Sequence, residues 1–585
     1  MKYLALLSGG KDSCFNLLHC AKNGHELVAA ASLGPGAGKV SEELDSYLYQ
    51  TVGQDAIELV ARALEVPLYR RVITGTAIEQ GSEYGSRKSK GVTAIEGDET
   101  EDLLALLSEV KAHHPDVLGV SVGAILSNYQ RVRVEHVCRR LGLTPLCYLW
   151  NRDQGELLQE MINAGMEAIL IKVAGIGLTT KHLGKTLSEM HPTLLKLNEQ
   201  YGAHICGEGG EYESLTLDCP LFKHRIILSE VETVIHSDNS FATVAFLRIK
   251  NAHLEAKQPP QDFELDIPSL LDDDFAALRD AAEWSIPPTD IKTKECETYS
   301  SVPKITPAVA RQVGSWVSIS NIERAIQDPI ATLTIEEEVT ECFQLLEARF
   351  NEFGLDVSKC TNINIFLSDI DLFVRVNAVY ATFFGSSPPA RACVAVDLPH
   401  PIRVRLDCVA FVEKSPQDRH ALHVQGLSYW APANIGPYSQ AITAGERIFV
   451  SGQIGLIPAQ LTLPSPRSLA IEAALATQHV SRVIDVLRST YSREWTGDTQ
   501  LALNWLTDIN GLNRVKSVIS ASSKIPRSPS LYLVVKDLPK NALVEKQVLV
   551  HTGSCAMLDE EDDAIVMHSC TPVYEQRMFL FKCRP

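Results

Sequence analysis

The chain has 585 residues, 45% of them hydrophobic and 22% charged, and a globular chain of this length forms about three or four domains rather than one core. Its 72 acidic residues outnumber its 54 basic ones, and the formal net charge of -18 argues against broad nucleic-acid binding, which requires clustered cations. The first apolar run is too short for a signal sequence and no run reaches the roughly 18 apolar residues of a membrane span, so we expect a cytoplasmic protein that contacts no membrane.

The first 220 residues alternate between segments typical of strands and segments typical of helices. Buried strands are predicted at 3–7 and 27–33, with a helix between them that ends near Gly24. Alternation on this scale predicts an α/β fold, a doubly wound parallel sheet covered by helices on both faces. Further helices are predicted near 51–64, 102–110 and 128–141, and further strands near 68–73 and 117–122.

The composition changes after about residue 255, and two similar stretches follow. Residues 255–294 contain Pro-Pro and Asp-Asp-Asp, which indicates a linker or a peripheral wrap. A strand, a DLP turn and a second strand occur at 388–413 and again at 531–550, which predicts a duplicated α+β domain. The second copy carries a polar stretch near 491–528 that resembles an insertion. The expected domains are therefore 1–254, the linker 255–294, 295–415 and 425–585.

A glycine turn joins the first strand directly to the first helix. Backbone N–H groups and the helix dipole converge at such a turn, which makes it an anion site, most often for phosphate. Lys11 supplies a positive charge, and the acidic Asp12 beside the anion is explained if Mg²⁺ accompanies it. The simpler interpretation is a glycine turn followed by an ordinary helix N-cap. The residues predicted to bind the phosphates are Ser8, Gly9, Gly10, Lys11, Asp12 and Ser13.

The spacing of SGGKDS differs from the GxxxxGK[ST] nucleotide loop and resembles the signature of the N-type ATP pyrophosphatases. That resemblance implies a HUP-like domain that uses ATP to adenylate a carboxylate or carbonyl oxygen and releases pyrophosphate. Sulfur-transfer members usually need reactive cysteines, whereas the 14 cysteines here include no CxxC pair. With no glutaminase-like element found, free ammonium is the expected nitrogen source. A different reaction of this family, such as a tRNA base modification, stays open.

Four further stretches narrow the resemblance: SYLYQTVG (46–53), GDETEDL (97–103), GAILSNYQRVRVE (123–135) and GEGGEYESL (207–215). Together they resemble the diphthine ammonia ligases, whose eukaryotic forms similarly carry two C-terminal Rid-like domains. The resemblance implies that ATP adenylates the carboxylate of diphthine, a modified histidine of translation elongation factor two, and that ammonia then displaces AMP. Acidic side chains or aromatic faces are suited to hold the trimethylammonium group of diphthine.

The resemblance assigns catalytic roles to Lys11, Asp12, Glu208 and Glu211, with Asp12 also a Mg²⁺ ligand. GDETEDL and GEGGEYES both bring acids close to a glycine-rich turn, where they can hold the trimethylammonium group. For GEGGEYES the alternative role is to coordinate Mg²⁺ or to deprotonate ammonium, and the simpler interpretation is a solvated turn. The acids of GDETEDL are equally explained by a preference for negative charge at a helix N-terminus. The basic residues near 131–140 are explained by the polar face of a helix, with RNA contact as the alternative. The residues expected to bind the substrate are Tyr47, Tyr49, Gln50, Asp98, Glu99, Tyr129, Arg131, Glu135, Tyr212 and Glu213.

The opening of the second copy, NIGPYSQAITAGERIFVSGQI, resembles the Rid (YjgF) family, which implies a chorismate-mutase-like fold. Active members use an Arg to bind a substrate carboxylate and a Glu to position water. The first copy keeps Arg391 but has Arg405 at the Glu position, and the second keeps Glu545 but has Ser530 at the Arg position. We therefore expect a binding or assembly role, because fold alone does not carry activity. The alternatives are an enamine or imine deaminase, or a site at a domain interface that joins Arg391 to Glu545.

Overall fold

The computed structural model describes most of the chain, including the loop of residues 8–13 and both copies of the duplicated domain. Tyr47, Tyr49 and Gln50 lie outside the described residues, as do 491–497 and 522–527 of the predicted insertion. Among the described residues, no helix is long and apolar enough to cross a bilayer. The described residues are 1–34, 56–81, 83–88, 94–238, 243–258, 260, 262–284, 307–324, 333–490, 498–521 and 528–553.

The N-terminal domain is built on a parallel sheet of five strands in the order β3-β2-β1-β4-β5. Alternate residues of its central strand β1 enter two different hydrophobic clusters, so the sheet is covered on both faces, as predicted. The strand order reverses between β1 and β4, and ligands of such sheets bind at the carboxyl ends of the strands beside this point. The elements are β1 (Lys2–Leu6), α1 (Lys11–Lys22), β2 (Glu26–Gly34), α2 (Ile57–Ala63), β3 (Leu68–Val72), α3 (Glu99–His113), β4 (Gly119–Ser121), α4 (Asn128–Leu141) and β5 (Thr144–Leu146).

A second sheet follows, which the sequence pattern did not predict. Its four strands are all antiparallel, in the order β7-β6-β9-β8. The Thr216 backbone N–H of this sheet donates to the Gly9 carbonyl oxygen (2.9 Å), which ties the sheet to the glycine turn after β1. The elements are α5 (Gln154–Asn163), β6 (Glu167–Ala174), α6 (Leu187–Tyr201), β7 (Tyr212–Asp218), β8 (His224–Asp238) and β9 (Thr243–Ala256).

Two α+β domains of the same topology form the rest of the described chain, and the predicted duplication is confirmed. The first sheet has the order β10-β11-β14-β12-β13, and the second repeats it as β16-β17-β20-β18-β19 with one added edge strand, β15. The elements are α7 (Asp273–Trp284), β10 (Val309–Val313), β11 (Trp316–Ile322), α8 (Ile335–Asn351), β12 (Cys360–Leu367), α9 (Phe373–Tyr380), β13 (Ala390–Ala395), β14 (Val404–Phe411), β15 (Arg419–Leu422), β16 (Ala441–Ala444), β17 (Arg447–Ile454), α10 (Leu469–Thr490), β18 (Thr499–Leu506), α11 (Leu512–Ala521), β19 (Ser530–Val534) and β20 (Val544–His551).

Two segments with irregular composition form regular structure. Within the predicted linker, Leu271, Phe275 and Leu278 are buried in one cluster with apolar residues of α10 and α11, so α7 is a helical wrap on the second copy. Residues 499–521 of the predicted insertion form β18 and α11. These two elements hold the positions of β12 and α9 in the first copy, so this part belongs to the duplicated fold.

Candidate active site

The SGGKDS turn connects β1 to α1 at the reversal of strand order. Gly9 has a φ of +80°, which L side chains rarely adopt, and Gly10 is the extended N-cap of α1. The Gly10 N–H donates to Ser8 Oγ (3.2 Å), and the Ser13 hydroxyl donates to the Gly10 carbonyl oxygen (3.0 Å). Local hydrogen bonds therefore hold the shape of the turn that precedes the N-terminus of α1.

Lys11 lies where the turn meets the second sheet. Its side chain is buried, and Nζ donates to Asp12 Oδ2 (2.7 Å) and to the Cys206 carbonyl oxygen (2.5 Å). Its backbone N–H donates to Ser214 Oγ (3.1 Å). Burial alone lowers the pKa of Lys11, but Asp12 and the Tyr212 side chain raise it above its ordinary value, so the side chain is cationic. The structure thus brings the SGGKDS and GEGGEYES motifs together.

The acids of GEGGEYES differ in their surroundings. Glu211 is buried, and its Oε1 accepts the His204 backbone N–H (2.7 Å), which shapes the loop that precedes β7. Glu213 pairs with Lys172 (3.2 Å) across the β6-β7 ladder. Glu208 is half-buried, and its Oε2 accepts the Leu126 backbone N–H at 3.3 Å. Of the three, only Glu208 lines the cavity beside the SGGKDS turn.

That cavity has a volume of about 200 Å³ and opens at the carboxyl ends of β1, β2 and β4. Asp12 and Glu208 face it from two different segments, and Asp12 Oδ1 is buried without a hydrogen-bond partner in the described structure. Burial, the largest cause, and the nearby Asp12 carboxylate together raise the pKa of Glu208 to about 6, against the opposing effect of Lys11. The remaining lining residues are Leu6, Leu7, Ser8, Ser13, Ala31, Ser32, Leu33, Val122, Gly123, Ala124, Gln130 and Val134.

Several lining residues were not singled out from the sequence. Ser32 lies near the end of β2 and belongs to none of the quoted motifs. Gln130 lies in the first turn of α4, within the quoted GAILSNYQRVRVE stretch, but was given no role. Gly123 could have been recognised, because it opens the quoted GAILSNYQRVRVE stretch directly after a predicted strand. Its role is steric: a Cβ atom there would lie 2.6 Å from the Ser13 backbone nitrogen.

Replacement of Gly123 by alanine is therefore expected to push the turn away from β4 and to raise the KM for ATP by about tenfold, since small displacements of a binding loop are costly. The measurement is AMP formation as a function of ATP concentration. Gly155→Ala is the control, because a Cβ atom there would meet nothing closer than Asp153 Oδ1 at 3.3 Å. An unchanged KM in Gly123→Ala would show that the turn does not depend on this close approach.

The acids of GDETEDL form a separate polar cluster at the start of α3. Asp98 is buried at the N-cap, and its carboxylate accepts backbone N–H groups from Thr100, Ile78 and Glu79. Burial alone raises the pKa of Asp98, but these hydrogen bonds outweigh it and lower the pKa below its usual range. The helix-capping interpretation accounts for Asp98, which does not line the cavity.

Two other predicted substrate residues belong to the same cluster. The Tyr129 hydroxyl donates to Glu99 Oε1 (3.2 Å), and the Tyr129 ring lies 3.3 Å from the Arg133 guanidinium carbon. One face of this ring therefore already holds a cation. Tyr129 precedes the cavity residue Gln130, but neither Tyr129 nor Glu99 lines the cavity itself.

Arg131 and Glu135 lie on α4 but contact the second copy of the duplicated domain. Arg131 Nη1 donates to Glu135 Oε2 (2.6 Å) and to the His423 carbonyl oxygen (2.6 Å). Glu135 Oε1 accepts the backbone N–H groups of Gln425 (2.9 Å) and Gly426 (3.0 Å). Both side chains are buried, and neither lines the cavity. Their contacts join the N-terminal domain to the second copy.

The two copies pack on each other so that Arg391 and Glu545 share one interface. Arg391 is buried, its backbone N–H donates to Ser451 Oγ of the other copy (2.8 Å), and its Nη1 donates to Asn377 Oδ1 (2.7 Å). Its guanidinium carbon lies 5.2 Å from the centre of the Tyr438 ring, which also comes from the second copy. Glu545 is buried, and its Oε2 has no hydrogen-bond partner in the described structure.

The backbone makes room for both charged groups. A Cβ atom at Gly452 would lie 1.7 Å from Glu545 Oε1, and one at Gly436 would lie 2.5 Å from Arg391 Nη2. Gly436 also lines a cavity of about 310 Å³ at the junction of the two copies and the N-terminal domain. Gly436 therefore links this cavity to Arg391, but neither Arg391 nor Glu545 lines the cavity.

The strand registers confirm that each copy lacks one member of this pair. Strands β12 and β13 of the first copy correspond to β18 and β19 of the second. Arg391 pairs with Ile363 and Ser530 pairs with Ala502, so Ser530 occupies the position of Arg391. In the same way, Arg405 pairs with Phe366 and Glu545 pairs with Trp505, so Arg405 occupies the position of Glu545. In the first copy Arg405 makes an ion pair with Glu323 (2.9 Å).

A pH-dependent stability difference is expected from Glu545. Burial raises its pKa from 4.5 to about 8, and Arg391 opposes this only in part. Between these values the unfolded chain has lost the proton that the folded chain keeps, so stability falls as the pH rises. The free energy of unfolding of Glu545→Gln, obtained from thermal melting, should therefore gain on that of the parent between about pH 5 and pH 8, by up to about 1.4 kcal/mol per pH unit. The exposed Glu109→Gln should show no such trend, and parallel curves for Glu545→Gln would contradict the expectation.

Comparison with known proteins agrees with a chain made of an N-terminal part followed by two copies of one domain. The family models described as Diphthamide synthase N-terminal domain (residues 1–90 and 87–145) and Diphthamide synthase C-terminal domain (153–251) match the first part. The model described as Endoribonuclease L-PSP matches 309–412 and 429–552, the two copies. The human diphthine–ammonia ligase is 55% identical over 259 residues, 44% of this chain and 94% of that protein.

Two fungal relatives align with nearly the whole chain. The diphthine–ammonia ligase of Saccharomyces cerevisiae is 34% identical over 595 residues, which cover 93% of this chain and 83% of that protein. That of Schizosaccharomyces pombe is 40% identical over 563 residues, which cover 95% of this chain and 88% of that protein. Because this similarity extends over both the ATP pyrophosphatase-like domain and the two Rid-like domains, the chain belongs to the diphthine–ammonia ligase family.

Proposed function

We propose that the cavity beside the SGGKDS turn is where this carbon–nitrogen ligase uses ATP to convert diphthine to diphthamide, and that the diphthine is carried by translation elongation factor two. The observation that carries the assignment is the contact of the two motifs, in which Lys11 binds the Cys206 carbonyl oxygen and Ser214 Oγ. The turn therefore lies against the GEGGEYES loop, and Glu208 of that loop lines the same cavity as Asp12.

The first half of the reaction is adenylation of the acceptor carboxylate. A carboxylate oxygen of diphthine attacks the α-phosphorus of ATP, and the bond to the bridging oxygen of pyrophosphate breaks. We assign stabilisation of the negative charge on the leaving group to the N-terminus of α1, the Gly9-Gly10 turn and the Lys11 ammonium. These groups adjoin Ser8, Asp12 and Ser13, which line the cavity, but do not line it themselves. Ser8 and Ser13 line the same cavity and supply hydroxyl groups to the phosphates.

The second half is attack of ammonia on the acyl carbon, after which AMP leaves. Ammonium must lose a proton before it attacks, and the amide nitrogen loses another as the tetrahedral intermediate collapses. We assign acceptance of a proton to Glu208, because this carboxylate lines the same cavity as Asp12. Glu211 is assigned a positioning role, because its Oε1 holds the His204 backbone N–H within the same loop.

The residues present fit a magnesium ion. Mg²⁺ in ATP-dependent sites is usually held by one or two carboxylates together with phosphate oxygens and water. Asp12 Oδ1 is buried without a hydrogen-bond partner, and Glu208 faces the same cavity. Within the described residues no cluster of three or more His, Cys, Asp or Glu side chains forms a complete protein site. When bound, Mg²⁺ would neutralise charge on the phosphates, with Asp12 as its principal protein ligand.

The test is reconstitution with purified chain, ATP, Mg²⁺, ammonium and elongation factor two that carries diphthine. The expected result is AMP formation that depends on the factor, together with a change in mass of the modified histidine that corresponds to replacement of a hydroxyl by an amino group. Elongation factor without diphthine and bulk tRNA are the controls. AMP formation that requires tRNA instead would support the alternative base-modification reaction.

A second activity is supported by the interface that joins Arg391 to Glu545. Arg391 can bind a small carboxylate, and Glu545 lies beside it without a hydrogen-bond partner on Oε2. The class of substrate that fits is an enamine or imine acid, whose hydrolysis adds water to the C=N carbon and releases ammonia and a keto acid. The probe is 2-aminoacrylate. Ammonia release that survives Lys11→Ala and is lost in both Arg391→Ala and Glu545→Gln would support this activity, and release that survives the last two changes would contradict it.

A further inference from the structure

A large acidic groove lies beside the candidate active site and has no part in the chemistry described above. It has a volume of about 810 Å³ and is formed by the start of α5, the segment before α7 and the second Rid-like copy. Seven carboxylates line it, against two arginines. The carboxylates are those of Asp153, Glu156, Glu160, Asp266, Asp272, Asp273 and Asp485.

Ion pairs within the groove neutralise only part of this charge. Arg152 pairs with Glu160, Arg482 pairs with Asp272 (2.8 Å), and Asp485 pairs with the neighbouring Arg488 at 3.7 Å. Six of the seven acids are exposed in the described structure. The groove therefore retains a strong negative potential, which attracts cations and repels nucleic acid.

A second observation indicates what else the occupant must supply. Three buried donors among the lining residues have no hydrogen-bond partner in the described structure: Trp150 Nε1, Trp430 Nε1 and Arg152 Nη1. Trp150 and Trp430 are 3% and 5% exposed, and the side chain of Arg152 is 9% exposed. Donors of this kind need acceptor oxygens, which a metal ion or a simple ammonium ion does not provide. A peptide provides both, carbonyl oxygens for these donors and Lys or Arg side chains for the carboxylates.

The groove is also close to the reacting groups. The Asn151 backbone N–H, at the rim of the groove, donates to the Ile125 carbonyl oxygen (2.8 Å). The two neighbours of Ile125 both belong to the cavity beside the SGGKDS turn, here called the ATP cavity: Ala124 lines it, and the Leu126 backbone N–H donates to Glu208. Gln154, next to the rim residue Asp153, accepts the Ile205 backbone N–H (2.5 Å). Cys206, the next residue, carries the carbonyl oxygen that binds Lys11 Nζ.

We propose that this groove docks a lysine- or arginine-rich segment of the protein that carries the diphthine, and so holds that protein while its modified side chain enters the ATP cavity. The proposal rests on the proposed function, because it takes the substrate to be a protein. Electrostatic docking of this kind changes mainly the rate of association and the dependence of that rate on salt concentration, and it leaves the rate of the chemical step unchanged.

The test replaces three exposed groove acids in one variant, Glu156→Lys, Asp273→Lys and Asp485→Lys. The expected result is an increase of at least roughly tenfold in the KM for diphthine-carrying elongation factor two, with a weaker dependence of that KM on salt. The kcat and the KM for ATP should stay within about twofold, since none of the three residues touches the ATP cavity. The matched control is Glu58→Lys, Glu109→Lys and Asp371→Lys, three exposed acids outside the groove.

Direct titration of the same elongation factor, without ATP, separates this inference from the assigned reaction. Weaker binding to the groove variant than to the control variant supports docking here, even if no amidation is detected. Amidation with an unchanged KM in the groove variant, or an equal loss in the control variant, overturns the docking proposal and leaves the reaction standing. Melting temperatures of both variants show whether they are folded.

Discussion

Replacement of Lys11 by alanine is expected to lower the rate of AMP formation by roughly 100- to 1,000-fold, the usual cost of removing one preorganised group that stabilises charge in the transition state. The buried ammonium lies between Asp12 and the Cys206 carbonyl oxygen, so no exposed lysine can take its place. The effect should fall mainly on kcat, because the charge on the departing pyrophosphate develops as the bond breaks. The measurement is factor-dependent AMP formation under saturating ATP.

Lys22→Ala is the matched control, because Lys22 ends the same helix and pairs with the exposed Asp262 (2.7 Å). This variant should keep its activity within about twofold, as expected for a surface ion pair. A Lys11→Ala variant that is folded by its melting profile and retains normal AMP formation would remove Lys11 from the mechanism.

Replacement of Glu135 by alanine is expected to destabilise the junction between the N-terminal domain and the second Rid-like copy by about 3–5 kcal/mol. The change leaves the Arg131 guanidinium buried without its carboxylate, and it leaves the Gln425 and Gly426 backbone N–H groups without an acceptor. Domains of this size lose about 2–4 °C in melting temperature for each kcal/mol. The first thermal transition should therefore move down by about 6–20 °C.

The matched control is Glu101→Ala, which breaks a similar contact between α3 and α4. Arg140 pairs with Glu101 at 2.6 Å, but these side chains are 18% and 23% exposed, so solvent compensates for the loss. The double change Arg131→Met with Glu135→Leu should recover part of the stability, because it removes both buried charges. Equal melting of Glu135→Ala and Glu101→Ala would mean that the buried pair contributes little to the junction.

Local signals account for the part of the fold that was predicted correctly. The helix predicted near 128–141 is observed as Asn128–Leu141, because Ser127 caps its first turn and Gly142 adopts a left-handed conformation after its last. The SGGKDS turn was recognisable for the same reason, since six consecutive residues determine its shape.

Contacts between distant segments account for what was not predicted. The second sheet pairs β6 with β9, whose positions lie far apart in the chain, and such pairings leave no local periodic signal. The same holds for the site: Lys11 and the Cys206 carbonyl oxygen are separated by 195 positions. The i, i+4 spacing of Arg131 and Glu135 places both on one face of a helix, but it does not reveal which domain that face meets.

The unequal Rid-like copies have a consequence for how such an interface can evolve. In a ring of identical subunits every substitution appears at every interface, so exchange of an Arg for a Ser would abolish all sites together. Two copies joined in one chain are free of that symmetry. The interface that contains Arg391 and Glu545 can keep both residues, while the equivalent positions of the other copy change to Ser530 and Arg405 without effect on that interface. The two copies are therefore no longer interchangeable, and loss of either one removes half of the only such pair that the described residues contain.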